Sequence, residues 1–147
     1  FDALGRGDKD DRWVYAYQEP RLPYADIATL VARYASAAMD VSDGLLGDAA
    51  QMAKASGCGI EINLENISVA GNSRDLSEIL RLTTWGDDYQ ILFSAEKNKR
   101  DEILSFASAS VMDIGVVGEM ASDCGLKAIW RGEAVNLPET LGFEHGW

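Results

Sequence analysis

Ala37-Ala38-Met39-Asp40-Val41-Ser42-Asp43-Gly44-Leu45-Leu46 is the stretch on which the reading of this chain turns. It reads as a short buried strand, a sharp turn dense in acid and hydroxyl groups, and the first residues of a helix. Asp40 falls where the apolar strand ends, Ser42 or Asp43 is placed to cap the helix, and Gly44 keeps the backbone open. A helix start carries unpaired N–H groups and the positive end of the helix dipole, so it can hold a phosphate. Carboxylates beside such a start favour magnesium, which prefers oxygen ligands and retains several waters. Capping by itself uses one of the three polar residues and contributes roughly 1 kcal/mol. It leaves Asp40 without a role, because a carboxylate at the end of an apolar strand is costly unless paired or metal-bound. Two readings therefore stand side by side here, cap only and cap plus ligand.

Working outward, the residues after the turn repeat with helical period to about Ser56, where Leu46, Ala49, Ala50, Met52 and Ala53 share one side. Gly57 and Gly59 end that helix, and Ile60, Ile62 and Leu64 then alternate with Glu61 and Asn63 as a strand with one wet face. Upstream, Tyr24 to Tyr34 is helical by pattern through Ile27, Leu30, Val31 and Tyr34. Downstream, 66–72 reads as a loop and Ser73 to Leu82 as a helix capped by Ser73. A second acidic turn, Thr83-Thr84-Trp85-Gly86-Asp87-Asp88, leads into the strongest strand, Tyr89 to Ser94. A helix over Glu96 to Ala107 and strands over Val111 to Met120 and Leu126 to Trp130 complete the pattern. Interleaved strands and helices define an α/β class, α+β layered, with a mixed sheet packed against helices. Residues 1–23, with prolines at Pro20 and Pro23, read as lead-in and linker, and 24–147 as one domain.

The totals limit what the domain can do. At 147 residues one core is expected, and the formal charge of −11 argues against nucleic acid, whose phosphates would be repelled. Nothing approaches a membrane span and the first thirty residues are too charged for a signal peptide, so a cytoplasmic setting is the expectation. Cys58 and Cys124 belong to no paired motif and read as two small buried thiols. His145 has no histidine partner, and neither a P-loop nor a GxGxxG fingerprint occurs. Phe143 and Trp147 read as stacking groups or as the seal of a core edge. The chain opens on Phe1, which suggests a piece of something longer.

Set in order, these motifs resemble a known family. Asp40-Val41-Ser42-Asp43-Gly44-Leu45-Leu46, the helix to Gly57-Cys58-Gly59 and the strand Ile60-Glu61-Ile62 are similar to the start of the carboxyl-terminal domain of the thiamine-monophosphate kinase family. That family groups with aminoimidazole ribonucleotide synthetase, selenophosphate synthetase and a hydrogenase-maturation protein. Gly86-Asp87-Asp88-Tyr89-Gln90-Ile91-Leu92-Phe93 resembles its Gly-Glu-Asp-Tyr-Glu-Leu-Leu-Phe block, Glu19-Pro20-Arg21-Leu22 its linker, and Gly142-Phe143-Glu144-His145 its closing Gly-Phe-Asp-His. The resemblance implies an aminoimidazole ribonucleotide synthetase C-terminal-domain-like fold. It implies ATP-dependent phosphorylation of thiamine monophosphate to thiamine diphosphate, with magnesium as cofactor. By matching position, Asp40 and Asp43 would hold magnesium, Ser42 would contact ATP, and Asp87 and Phe143 would meet the thiamine substrate. It further implies a missing N-terminal domain that supplies most of the ligands and the homodimer interface, so the fragment alone is expected to be inactive. Asp87 is one methylene shorter than the family's Glu, and Gly146-Trp147 replaces the aromatic that directly follows the histidine. The alternatives are another ATP-using synthetase of the same superfamily, or a non-catalytic binding module.

Overall fold

A computed structural model describes residues 25–69, 74–86 and 88–142. The linker, the Ser73 cap, Asp87, Phe143 and the tail beyond it, expected from the sequence, lie outside the described residues.

Helix α1, Ala25–Tyr34, buries Leu30 completely and carries Asp26 in its first turn and Arg33 in its last, each charge complementing the dipole. It runs directly into strand β1, Ala35–Val41. Burial alternates along β1, so Ser36, Ala38 and Asp40 are exposed while Met39 and Val41 turn inward. This corrects the sequence reading of a buried strand, and it removes the burial penalty assigned to Asp40. The period of two places that carboxylate on the wet face.

Helix α2, Leu45–Ser56, buries Leu46, Ala49, Met52 and Ala53. It ends in a Schellman motif: Gly57, at φ 65, donates its N–H to Lys54, and the Cys58 N–H reaches back to Ala53. Strand β2, Gly59–Asn63, follows and buries Ile60 and Ile62 with Glu61 outward. Helix α3, Leu76–Thr83, starts later than the pattern suggested. Asp75 is its cap, its carboxylate accepting the Glu78 N–H at 3.1 Å. Strand β3 spans Gln90–Ala95 rather than starting at Tyr89, whose φ of +50 bends the chain before the ladder begins.

Helix α4, Arg100–Ala109, is preceded by a 3-10 turn over Lys97–Lys99 and has no side-chain cap. Lysines at a helix start oppose the dipole, consistent with the later onset. Of the expected strand over 111–120 only β4, Gly118–Ala121, forms. Val111, at φ +54 and 90% exposed, turns the chain away instead. Strands β5, Gly125–Trp130, and β6, Glu133–Val135, close the described chain.

The strands form two sheets. β1 pairs antiparallel with β3, setting Asp40 opposite Ile91 and Val41 opposite Gln90. The other sheet has the order β4-β2-β5-β6, with β2 parallel to β5 and antiparallel to β4. α2 packs on β1, β2 and β5 and so joins the two sheets. Its Leu46, Ala49, Met52 and Ala53 meet Ile60, Ile62, Leu64, Ile79 and Ala128 in the core. A cavity of about 1050 Å³ opens beside this core, lined in part by Ile27, Ile62, Phe93, Ile103 and Met120.

Both cysteines are free thiols; Cys58 is half-buried and Cys124 exposed, so only the first approaches the buried state expected of both. Among the described residues no helix is long and apolar enough to cross a membrane.

Candidate functional site at the turn between β1 and α2

The β1–β3 register brings the end of β1 and the start of β3 to one edge of the sheet, so the two acidic turns lie at the same end. The Tyr89 N–H donates to the Val41 carbonyl at 2.9 Å and closes this edge. Two glycines then let the turns touch. Gly44 adopts φ 111, and a Cβ there would stand 2.9 Å from the Trp85 carbonyl oxygen and the Thr84 carbonyl carbon. A Cβ on Gly86 would stand 2.4 Å from the Ser42 carbonyl oxygen. The closing segment arrives as well, with Gly142 against the Asp43 carbonyl. Three pieces of chain distant in sequence thus meet around Ser42, Asp43 and Gly44.

Around that junction Asp40 is exposed, while Ser42 and Asp43 are half-buried. Helix α2 has Gly44 as its N-cap, a residue with no side chain to accept from the first turn. The N-cap position expected at Ser42 or Asp43 thus falls one or two residues later, at Gly44. Gly44 allows the close approach to Thr84 and Trp85, a demand that outweighs local capping preference. The side chains of Trp85 and Tyr89 are 43% and 48% exposed beside the turn.

The sequence reading passed over Asp48, which is 1% exposed. Its Oδ2 accepts the N–H of Ser42 at 2.9 Å and that of Asp43 at 3.1 Å, and its Oδ1 accepts from Gln51 at 3.4 Å. Burial pushes the Asp48 carboxyl above its ordinary range, and the charges of Asp43 and Asp40 push the same way. The two backbone N–H groups pull it back. The signal was available: Asp48 sits four residues before Met52, on the apolar side of α2, where a carboxylate needs partners.

Asp40 and Asp43 carry carboxylates at the turn that leads into α2. Such a donor set fits magnesium, which takes one or two carboxylates and completes its shell with water and phosphate oxygens. Among the described residues no group of three or more His, Cys, Asp or Glu side chains could hold a metal by itself. Asp87 and Phe143 lie outside the described residues, although their neighbours Gly86 and Gly142 both reach the Ser42–Asp43 backbone.

The fold is an α+β domain with Asp40, Ser42 and Asp43 at the passage from a strand to a helix. Residues 3–131 match the family described as AIR synthase related protein, C-terminal domain, and the chain belongs to that family. Over 147 residues it is 30% identical to the thiamine-monophosphate kinase of Caulobacter vibrioides, an alignment covering 95% of this chain and 41% of that protein. The chain thus spans less than half the length of this curated relative. Among solved structures, the thiamine-monophosphate kinase of Stenotrophomonas maltophilia K279a superposes with a TM-score of 0.73 at 24% identity, covering 91% of this chain and 46% of the other. AaThiL complexed with AMPPCP and TMP superposes with a TM-score of 0.70 at 23% identity, covering 96% and 45%. These structural likenesses establish the fold.

Proposed function

We propose that this chain is the carboxyl-terminal part of an ATP-dependent kinase that converts thiamine monophosphate to thiamine diphosphate. The observation that carries the reading is the meeting of the two acidic turns at the start of α2. The kinase named among its relatives, and the nucleotide analogue and TMP named with a structure of the same fold, supply the substrates. Residues 24–147 form the C-terminal domain and 1–23 its lead-in. A further domain provides the remaining ligands, and the whole enzyme is a cytoplasmic homodimer.

In this reading Asp40 and Asp43 hold magnesium, which when bound neutralises charge on the transferring phosphoryl group. Asp87 and Phe143 orient the thiamine substrate. A phosphate oxygen of thiamine monophosphate forms the new bond to the γ-phosphorus of ATP, the bond from that phosphorus to the bridging oxygen breaks, and ADP leaves. The protein's work is positioning and charge neutralisation rather than covalent help. Because Asp48 already occupies the Ser42 N–H, Ser42 meets the nucleotide through its hydroxyl.

Transfer of labelled γ-phosphate from ATP to thiamine monophosphate tests the proposal. The full-length protein forms thiamine diphosphate, Asp40→Asn abolishes most of that activity, and this chain alone shows none. Turnover with an amide or selenide acceptor and none with thiamine monophosphate would instead indicate a sister synthetase. Nucleotide binding without turnover on any acceptor would indicate a binding module.

A further inference from the structure

We infer that Asp48 is the positioning residue of this site: its buried carboxylate clasps the Ser42 and Asp43 amides and thereby fixes the turn from which Asp40 and Asp43 project. The inference rests on the magnesium–nucleotide reading of the turn.

The environment of Asp48 is unusual for a residue that serves stability alone. A carboxylate 1% exposed loses its hydration and needs compensation. Asp48 accepts from two backbone amides and the Gln51 amide, and the nearby charges of Asp40 and Asp43 are of like sign. An apolar side chain would fill an interior position of α2 without that cost. The geometry offers a reason for a carboxylate instead. One oxygen, Oδ2, takes consecutive N–H groups on the far side of the N-cap, from residues five and six positions earlier. That arrangement pins two successive peptide planes to the first turn of a rigid helix. With both amides pointing inward to α2, the rotation of the Asp40–Asp43 turn is set before any ligand arrives. Partners of this kind behind metal ligands typically change affinity by about 10- to 100-fold when removed.

Two neutral substitutions separate the roles. Asp48→Asn keeps an oxygen acceptor for the two amides, and Gln51 can turn its own oxygen toward the new NH₂. Asp48→Ala removes the acceptor. Isothermal titration of the full-length protein with MgCl₂, in the presence of AMPPCP, should give the asparagine variant an affinity within a few fold of wild type. The alanine variant should fall by about 10- to 100-fold. Amide hydrogen exchange on the metal-free protein gives a second readout: protection of Ser42 and Asp43 persists in Asp48→Asn and is lost in Asp48→Ala.

Wild-type affinity in the folded alanine variant overturns the inference. So does an asparagine variant as weak as Asp40→Asn, because charge rather than the clasp would then be responsible. If the alanine chain does not fold, Asp48→Ser, whose hydroxyl is too short for the span, replaces it under the same criteria. The Asp40→Asn control keeps the two claims apart. If it binds as wild type does, the site reading fails; if it alone loses binding, only the clasp fails.

Discussion

Asp40 changes meaning when its neighbours are seen in three dimensions. Its strand position looked buried, yet the β1 alternation turns it to solvent, where it is available to a cation at little cost. Asp40→Asn should therefore leave the melting temperature nearly unchanged while weakening magnesium-dependent nucleotide binding at least tenfold, which is roughly 1.4 kcal/mol; calorimetry on the same samples reads both. Gly86 behaves in the opposite way. A Cβ there would press to 2.4 Å on the Ser42 carbonyl oxygen, a backbone atom that cannot swing aside as a flexible side chain can. Gly86→Ala should destabilise by about 1–3 kcal/mol, the usual range for overpacking, in urea unfolding. An unchanged midpoint would mean that the two turns do not touch.

At the scale of elements, α2 is the piece on which both sheets rest. Leu46 is fully buried between them, and Leu46→Ala should cost about 2–5 kcal/mol, measured by chemical unfolding. Helix α3 depends on its start in a pH-sensitive way. The Ser77 hydroxyl first, and then the Glu78 N–H, hold the Asp75 carboxyl below its ordinary value of 3.8. The native chain thus binds this proton less readily than the unfolded chain does. The ionised cap's contribution is complete above that ordinary value and is lost as the pH falls through the lower native one. Replacing Asp75 by Asn should flatten the acid side of the stability profile and leave its neutral plateau sloped as before, followed by thermal melts across acid pH. The exposed pairs Lys97–Glu119 and Lys99–Glu102 should by contrast be nearly silent when removed, because solvent screens them.

At the scale of the molecule, the described surface carries several large apolar groups. Met120, Val116 and Leu104 are 41%, 38% and 37% exposed, and Met120 lines the cavity of about 1050 Å³. Under the proposed function this surface faces the further domain. Purified by itself, this chain should bind a hydrophobic dye such as anilinonaphthalene sulfonate and associate as its concentration rises, and co-expression with the proposed further domain should suppress both. Sedimentation showing a non-sticky monomer at high concentration would argue against that domain covering this face.

Helix α2 and strand β2 were legible in the residues themselves, because hydrophobic period and terminal glycines act over about one turn of chain. The same local rules failed at Ser73, at Tyr89 and over 111–117. There the cap used by α3 lay two residues further on, and left-handed backbone at Tyr89 and Val111 redirected the chain. The candidate ligands Asp40, Ser42 and Asp43 could be named from their order alone, since residue type and a strand-to-helix turn are properties of consecutive positions. Their arrangement could not. The contact of Gly44 with Thr84 and Trp85, the approach of Gly86 to Ser42, and the setting of Asp48 beneath the turn are consequences of packing. The sequence by itself determined which oxygen-bearing groups this protein brings to a βα turn. Only the tertiary structure decided which of them face solvent and which is buried to hold the others, because burial is assigned by segments that are distant in the chain and adjacent in space.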